Sequence, residues 1–429
     1  MFSNAGVLIG GYTNNSNPRL PGGGLPFQAD VSKQYRAEAF GATTTSPSGE
    51  MNIMAKDYRA PKVAKFNFAV DQKLPGGITG TIEGNYTLNL NQTMYYNVNI
   101  LPSSRNATGV DGRPLYSTTK VDLNPSLAGV QNPYTYVMLV KNGGRAGRSY
   151  VVSGSLAKKF QSGFDVSGSY VFSRAQVMNE PTSSQNSSQW RYMETVNGRN
   201  DVQRSRSDFD LGHRVSAFIA KKFTYAKGAL ASTFSLVYNG QSGNTFSYVY
   251  ATGPVRDQGT SETNDLIFIP TADQIKGMTF VTNSSYPLTA AQQAAALEDY
   301  ISNDNYLSKN RGKYAERNGA RLPFTNIIDV KFLQDFNVKV FNKKYQFQLT
   351  YDIFNFTNML NRVWGRTYFL SNDQFGLVRY SNPTSGAPSL LPTYSFNPIN
   401  NNTPWGISSS TAPSYSARWV SQLGLRFKF

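Results

Sequence analysis

Cysteine is absent from all 429 residues, and histidine occurs once, as His213. The first absence excludes disulfide frameworks, thiolate metal sites and cysteine nucleophiles together. The second leaves a histidine-based zinc site without its ligands and a Ser-His-Asp triad hanging on one residue, so His213, beside Arg214 in a strand-like run, reads as structural. Charge is also scarce. Asp, Glu, Lys and Arg make up 16% of the chain, and the acidic residues are the scarcer, 26 against 42 basic, for a net charge of +16. Such an excess would ordinarily point to nucleic acid or an anionic surface. Here the basic residues sit in small groups beside turns, as in Lys158-Lys159, Lys221-Lys222 and Lys343-Lys344, with no basic stripe or helix. No nucleic-acid partner is expected. Long apolar runs are missing too: no segment reaches the ~18 residues of a transmembrane helix. The opening "MFSNAGVLIGGYTNN" lacks the basic start, apolar stretch and cleavage site of a signal peptide.

What the chain does have is aromatic and glycine content. It is 13% aromatic, with 26 Tyr, 27 Phe and 36 Gly, yet only 39% hydrophobic, a mix that suits strands and turns better than helices. Successive side chains of a strand point to opposite faces, so odd and even positions can be separated. Phe164, Val166, Gly168, Tyr170 and Phe172 oppose Asp165, Ser167, Ser169, Val171 and Ser173, and the strand before them reads the same way across the turn Gln161 to Gly163. A second hairpin sets Phe209, Leu211, His213, Val215, Ala217 and Ile219, then Phe234 and Leu236, against small and polar residues. Others run from Phe66 through the turn Leu74 to Gly77, and from Ile328 through Asn342 to Ile353.

A soluble sandwich also alternates. Three features point elsewhere. The strands are about 10 to 15 residues long rather than the usual five or six. Tight turns at one end contrast with excursions at the other, roughly Asn91 to Arg148, Arg174 to Asp208, Gly240 to Thr325 and Thr357 to Tyr415. Aromatics cluster at strand ends, as an interfacial girdle requires. The expected fold is therefore all-β: an antiparallel transmembrane β-barrel, here a C-terminal partial barrel of about 9–10 long strands with short periplasmic turns and long extracellular loops. Nine strands are clear, and a tenth is placed at Gly6 to Tyr12. Lys158 and Lys221 fall on the apolar face. A lysine costs about 2–4 kcal/mol at the bilayer midplane but only about 0–1 near the interface, so both must mark the membrane edge, with Phe160 and Phe223 as girdle residues. Leu156, Val166, Phe234, Val330 and Leu349 are assigned to lipid; Ser155, Ser167, Thr233, Asp329 and Thr350 to the lumen.

The end of the chain carries a resemblance. In "RWVSQLGLRFKF", Trp419, Ser421, Leu423, Leu425, Phe427 and Phe429 alternate with polar and basic residues, and "QLGLRFKF" resembles the signal read by the machinery that assembles outer-membrane barrels. "YQFQLTYDIFNFTNMLNRVWG", Tyr345 to Gly365, resembles the penultimate-strand motif of TonB-dependent receptors, where aromatic-Asn-aromatic-Thr-Asn ends an upward strand. "SSQWRYMETVNGRND", "LGHRVSAFIAKKF", "YNGQSGNTFSYVY" and "NDLIFIP" are similar to the Oar-type branch of that group, which carries a carboxypeptidase-regulatory-like module. The resemblance implies active uptake of a large substrate through a barrel of ~22 strands. Its implied partners are outer-membrane lipid, the barrel-assembly machinery, the TonB energy-coupling complex and, possible in this family, a surface lipoprotein. No signal peptide, TonB box or plug domain is recognisable, so residues 1–429 are expected to be the C-terminal part of a longer receptor barrel.

Remaining motifs are few. Trp419, Leu423, Leu425, Phe427 and Phe429 are the assembly-signal residues, and Asp329, Lys331, Asp352 and Arg214 form a candidate polar network in the lumen, where a plug would contact it. Leu288 to Ile301 is the one clear helix, with Thr289 and Gln292 spaced as a capping box, placed as a stabiliser within the longest loop. Asp257, Glu262 and Asp265 lie where the family often has a calcium-like stretch, but their spacing does not match an EF-hand. "PGGG" at Pro21 to Gly24 lacks the Gly-Lys-Ser/Thr of a phosphate loop. No metal, cofactor or catalytic site is expected. A passive porin, and a soluble sandwich acting as a surface adhesin, remain alternatives.

Overall fold

The alternating segments build nine long strands: β1 (Lys62–Leu74), β2 (Ile78–Leu90), β3 (Gly147–Lys159), β4 (Phe164–Val177), β5 (His213–Tyr225), β6 (Leu230–Gln241), β7 (Thr325–Val340), β8 (Lys343–Phe354) and β9 (Val420–Lys428). The computed structural model describes residue 30 and residues 49–428, apart from 102–104, 107–109, 117–133, 145–146, 182, 256, 258–263, 342, 382–391, 399–402 and 408–416. The proposed strand at Gly6 to Tyr12, Pro21 to Gly24, Glu262 and Phe429 thus lie outside the described residues. Each strand pairs antiparallel with the next in sequence, giving one meander in the order β1 to β9. Among the described residues, β1 and β9 each pair on one side only.

Register shows which residues share a face, because directly opposed residues of an antiparallel ladder point the same way. One row runs Lys158, Val166, Ile219, Leu236, Val330, Ile353 and Ser421; the next runs Phe164, Lys221, Phe234, Phe332, Tyr351 and Leu423. The opposite face carries rows such as Asp165, Ala220, Ser235, Lys331, Asp352 and Gln422. The ten residues assigned to the two faces from sequence fall on those faces. Aromatic pairs stitch the apolar rows, with ring centroids 4.9 Å apart for Phe234 and Phe332 and 4.7 Å for Phe347 and Phe427.

That apolar face has no cover among the described residues. Phe66 is 60% exposed, Ile82 61%, Leu156 55% and Leu425 77%. A sandwich would bury this face against a second sheet; water would oppose so large an apolar surface, and hydrocarbon would not. Among the described residues, this packing argues against the soluble sandwich.

Turns at one end are short: Pro75–Gly77, Phe160–Gly163 and Ala226–Ala229, and β7 ends only three positions before β8 begins. Gly163 adopts φ +88°, and its carbonyl accepts from the Lys222 amide at 3.0 Å, so the turn lies against the neighbouring strand with no room for a side chain. Lys158 stacks its ammonium 4.4 Å from the Phe160 ring centroid, and Lys221 lies 4.3 Å from that of Phe164. Both lysines thus sit at the short-turn edge over aromatic faces.

The loop end differs from the expected polar excursions. Strands at Thr279–Phe280, Thr393–Ser395, Gln374–Ser381, Thr245–Thr252 and Ala320–Arg321 join in one five-stranded sheet, while Gly49–Met54, Tyr134–Asn142 and Thr93–Asn97 form another. Four helices accompany them: α1 (Asn186–Arg191), α2 (Ala272–Lys276), α3 (Ala290–Asn303) and α4 (Phe356–Leu360). The main hydrophobic core of the protein is here, built on Phe246, Tyr248, Ile267, Leu297, Tyr300 and Tyr394. Helix α3 begins with both bonds of the Thr289–Gln292 capping box. Its fully buried Gln293 donates to the carbonyls of Val281 (3.0 Å) and Leu288 (2.9 Å) and accepts from the Phe396 amide at 2.9 Å, tying three segments together. No helix among the described residues is long and apolar enough to cross a membrane, which has no bearing on strands.

One strand boundary differs from the sequence reading. Phe209 and Leu211 lie before β5, because the chain turns at Ser207 to Gly212, where Gly212 takes φ +69°. The buried Asp210 carboxylate pins that turn through Arg321 (2.6 Å), Arg206 (3.2 Å) and the Ala175 amide (3.0 Å). Tertiary ion pairing here overrides the apolar alternation.

The chain has no native cysteine, so single cysteines label without background. In intact cells, membrane-impermeant maleimide should mark cysteines at Ser155, Ser167, Thr233, Asp329 and Thr350 and leave those at Leu156, Val166, Phe234, Val330 and Leu349 unmarked. Equal labelling of both sets would overturn the face assignment.

Candidate binding site at the loop end

The polar face brings part of the sequence-named network together. Lys331 opposes Asp352 in register, and its ammonium lies 3.0 Å from the carboxylate. Asp329 does not join them; it accepts the Asn355 amide at 2.7 Å. Arg214 stands apart, opposed by Val171 and Gln241. His213 lies on the apolar face, opposed by Phe172, with its Nδ1 2.7 Å from the Tyr170 hydroxyl.

Asn355 explains the aromatic-Asn-aromatic-Thr-Asn motif. It ends β8 in the left-handed conformation (φ 55°, ψ 49°), which Asn tolerates better than most residues, and its side-chain amide donates to the Gly365 carbonyl at 2.8 Å. Helix α4 follows, and Asn358 accepts the Trp419 amide at 3.3 Å, positioning the entry to β9. Trp419 itself precedes the strand. Within β9, Leu423, Leu425 and Phe427 oppose Tyr351, Leu349 and Phe347 on the apolar face. Replacing Leu425 with Asp places a charge on that face near mid-strand, and should lower the protein's recovery from outer-membrane fractions severalfold, whereas Gln422→Asp on the polar face should not. Equal recovery of the two variants would show that the apolar edge of β9 is not read during assembly.

Two acids of the stretch, Asp257 and Asp265, lie against a buried arginine. Asp257 pairs with the guanidinium of Arg199, and both side chains are fully buried. Asp265 lies 4.0 Å from the same arginine and accepts the Val255 amide at 2.8 Å. Beside them Arg113 pairs with Asp111 at 2.7 Å, donates to the Leu266 carbonyl at 2.6 Å, and lies over the rings of Tyr250 and Tyr314 at 5.0 and 5.1 Å. Sequence reading missed Arg113, Arg199 and Asp111, since their partners lie 58 to 153 residues away or are hidden in an unremarkable "DGR". Removing one partner of such a buried pair costs about 3–5 kcal/mol.

Burial drives the Asp265 carboxyl up to about 6, against the opposing pull of Arg199 and Arg113. The folded loop region therefore holds a proton there between about pH 4 and 6 that the unfolded chain releases. Its stability should rise as pH falls from 7 through 6 and level off near 4. Asp265→Asn should reduce that slope, read as thermal resistance of the loops to protease across this range. An unchanged slope would show that Asp265 does not titrate there.

Near the loop ends of β4, β5 and β7 lies a cavity of about 540 Å³ lined by Glu180, Glu194, Asp208, Asp373 and Arg317, with Gln189, Tyr192 and Gln374 among its neutral walls. Neutral donors hold three of the acids by one oxygen each. Glu180 accepts the Asp208 amide at 3.1 Å, Glu194 accepts Gln374 Nε2 at 2.8 Å, and Asp208 accepts Asn318 Nδ2 at 2.6 Å. Burial raises Glu180, Glu194 and Asp373 above the usual carboxylate range. Arg317 is 4% exposed; its Nε donates to Ser205 Oγ at 2.6 Å and its Nη1 meets the Met193 sulfur.

A family model described as an outer membrane beta barrel domain matches residues 2–387. A comparison with curated proteins finds no match. A continuous antiparallel meander, an uncovered apolar face, lysine and aromatic residues at the turn edge and a folded loop region all accord with that match. The chain belongs to the outer membrane β-barrel domain family, and its place is the outer membrane.

Proposed function

We propose that this chain supplies barrel strands of a TonB-dependent outer-membrane transporter of the Oar-like branch, importing a large substrate, and that it performs no catalysis. The observation that carries the reading is the folded extracellular cap. Long loops organised around a core of their own, with a walled polar cavity, present a shaped surface to the outside, as a receptor that captures its substrate before import requires. The Asn355 motif and the terminal strand add the resemblance already drawn. In this reading the barrel-assembly machinery recognises β9, and a TonB complex acts through a region N-terminal to the barrel. A surface lipoprotein partner is compatible with the cap.

Energy dependence tests it. Cells carrying the complete receptor gene should lose substrate-dependent growth when the TonB energy-coupling protein is deleted, while the receptor's level in the outer membrane stays unchanged. Uptake that persists without energy coupling, together with open conductance of the purified protein in planar bilayers, would make it a passive pore instead.

A further inference from the structure

The cavity between the β4, β5 and β7 loop ends runs against the charge of the whole molecule. The protein carries +16. The cavity is lined by four carboxylates and one guanidinium, a formal charge of −3. Among the described residues none of Glu180, Glu194, Asp208 and Asp373 lies within ion-pair distance of a cation, although the protein pairs acids elsewhere in the cap, as at Asp210 and Asp257. Three of the four are instead held by neutral donors, an amide nitrogen, a glutamine and an asparagine, and Arg317, the one cation of the lining, offsets only part of the charge of Glu180 and Glu194. Glu180, Glu194 and Asp373 are partly buried and Asp208 is exposed, and carboxylates drawn partly out of water inside a cavity mark a candidate binding site.

Arg317 adds a second, independent sign. It lines the same cavity, is 4% exposed, and its Nη2 has no hydrogen-bond partner among the described residues. A buried guanidinium nitrogen left unpaired is destabilising, and an acceptor oxygen from a ligand would satisfy it. Among the described residues no three acids are grouped to hold one metal ion, and ammonium groups complement carboxylates held this way through charge-assisted hydrogen bonds.

We propose that this cavity recognises an organic ligand bearing primary ammonium groups near a carboxylate, the chemistry of a short lysine-rich peptide. The ammonium groups meet Glu180, Glu194, Asp208 and Asp373 through charge-assisted hydrogen bonds, and the carboxylate meets the free donor of Arg317. A volume of about 540 Å³ suits a peptide of a few residues or one end of a longer chain. The proposal rests on reading the cap as the receptor's capture surface.

Trilysine is a direct probe. Isothermal titration of the full chain in detergent micelles should show trilysine binding and no binding of triglutamate. The variant Glu194→Gln/Asp208→Asn, close in shape, should lose about tenfold or more in affinity, and Glu298→Gln, on α3 away from the cavity, should lose none. Arg317→Gln should weaken trilysine, and trilysine amide should bind the parent and this variant alike. Heat-modifiable migration on gels checks that each variant is folded, and the amide probe keeps the arginine assignment testable where the acidic variants assemble poorly. Equal binding of triglutamate, no binding of trilysine, or equal losses in the Glu298 variant would overturn the site. Binding is read without energy coupling, so trilysine affinity combined with energy-independent uptake would sink the importer reading alone.

Discussion

Hydrocarbon offers no hydrogen-bond partner, so every backbone amide and carbonyl within it must find one in the protein. The meander meets that demand along each shared ladder: twelve paired positions between β5 and β6, twelve between β6 and β7, eleven between β7 and β8. From this follow the unusual strand lengths, the regular register and the confinement of tight turns to one end. A break in the ladder at mid-strand would expose several unpaired groups to lipid, which is why positive-φ residues such as Gly163, Lys227 and Asn355 occur at turns and strand ends.

The same constraint moves the conventional core out of the membrane. A single sheet with lipid on one face has nothing to pack against there, so its apolar side chains interact laterally, ring against ring, and the solvent supplies the rest. Only where the loops rise into water does the hydrophobic effect gather side chains into a cluster. Tyr248 lies fully buried there, stacked 6.2 Å from Tyr306 and donating to Asp304 at 2.7 Å. The cap also buries Arg113 and Arg199 with their acids. Their geometry, with guanidinium groups meeting carboxylates, carbonyls and tyrosine faces, is orientation-dependent in a way apolar packing is not, and it joins loops from β2–β3, β4–β5 and β6–β7 in one arrangement.

Legibility in the sequence divides along the same line. Inside the meander each strand pairs with its successor, so period-two alternation carried enough information to place all nine strands and both faces. Helix α3 was legible because a capping box is local. The cap was not: Thr245–Thr252 pairs in parallel with Gln374–Ser381, more than 120 residues away, and parallel short strands leave no alternating signature. The role of Asp257 was not legible because its partner Arg199 lies 58 positions earlier. Phe209 and Leu211 misled for the opposite reason, continuing an apolar alternation after tertiary ion pairs had already turned the chain at Asp210. The Lys331–Asp352 pair was legible from adjacent strands, whereas Asp329 and Arg214 were placed by charge alone, and charge does not specify height on the sheet.

Net charge is a poor guide to the field inside a single cavity. At physiological ionic strength the screening length is about 8 Å, so exposed lysines at the turn end, a full strand length away, contribute little to the potential inside a cavity at the loop end. A strand of 13 residues at ~3.3 Å each spans roughly 40 Å, several screening lengths. Field within the cavity is set by the carboxylates of its own walls, where partial burial weakens screening further. The field beside Glu180, Glu194, Asp208 and Asp373 is therefore set first by these four acids and by Arg317 among them, and only weakly by the +16 of the whole chain.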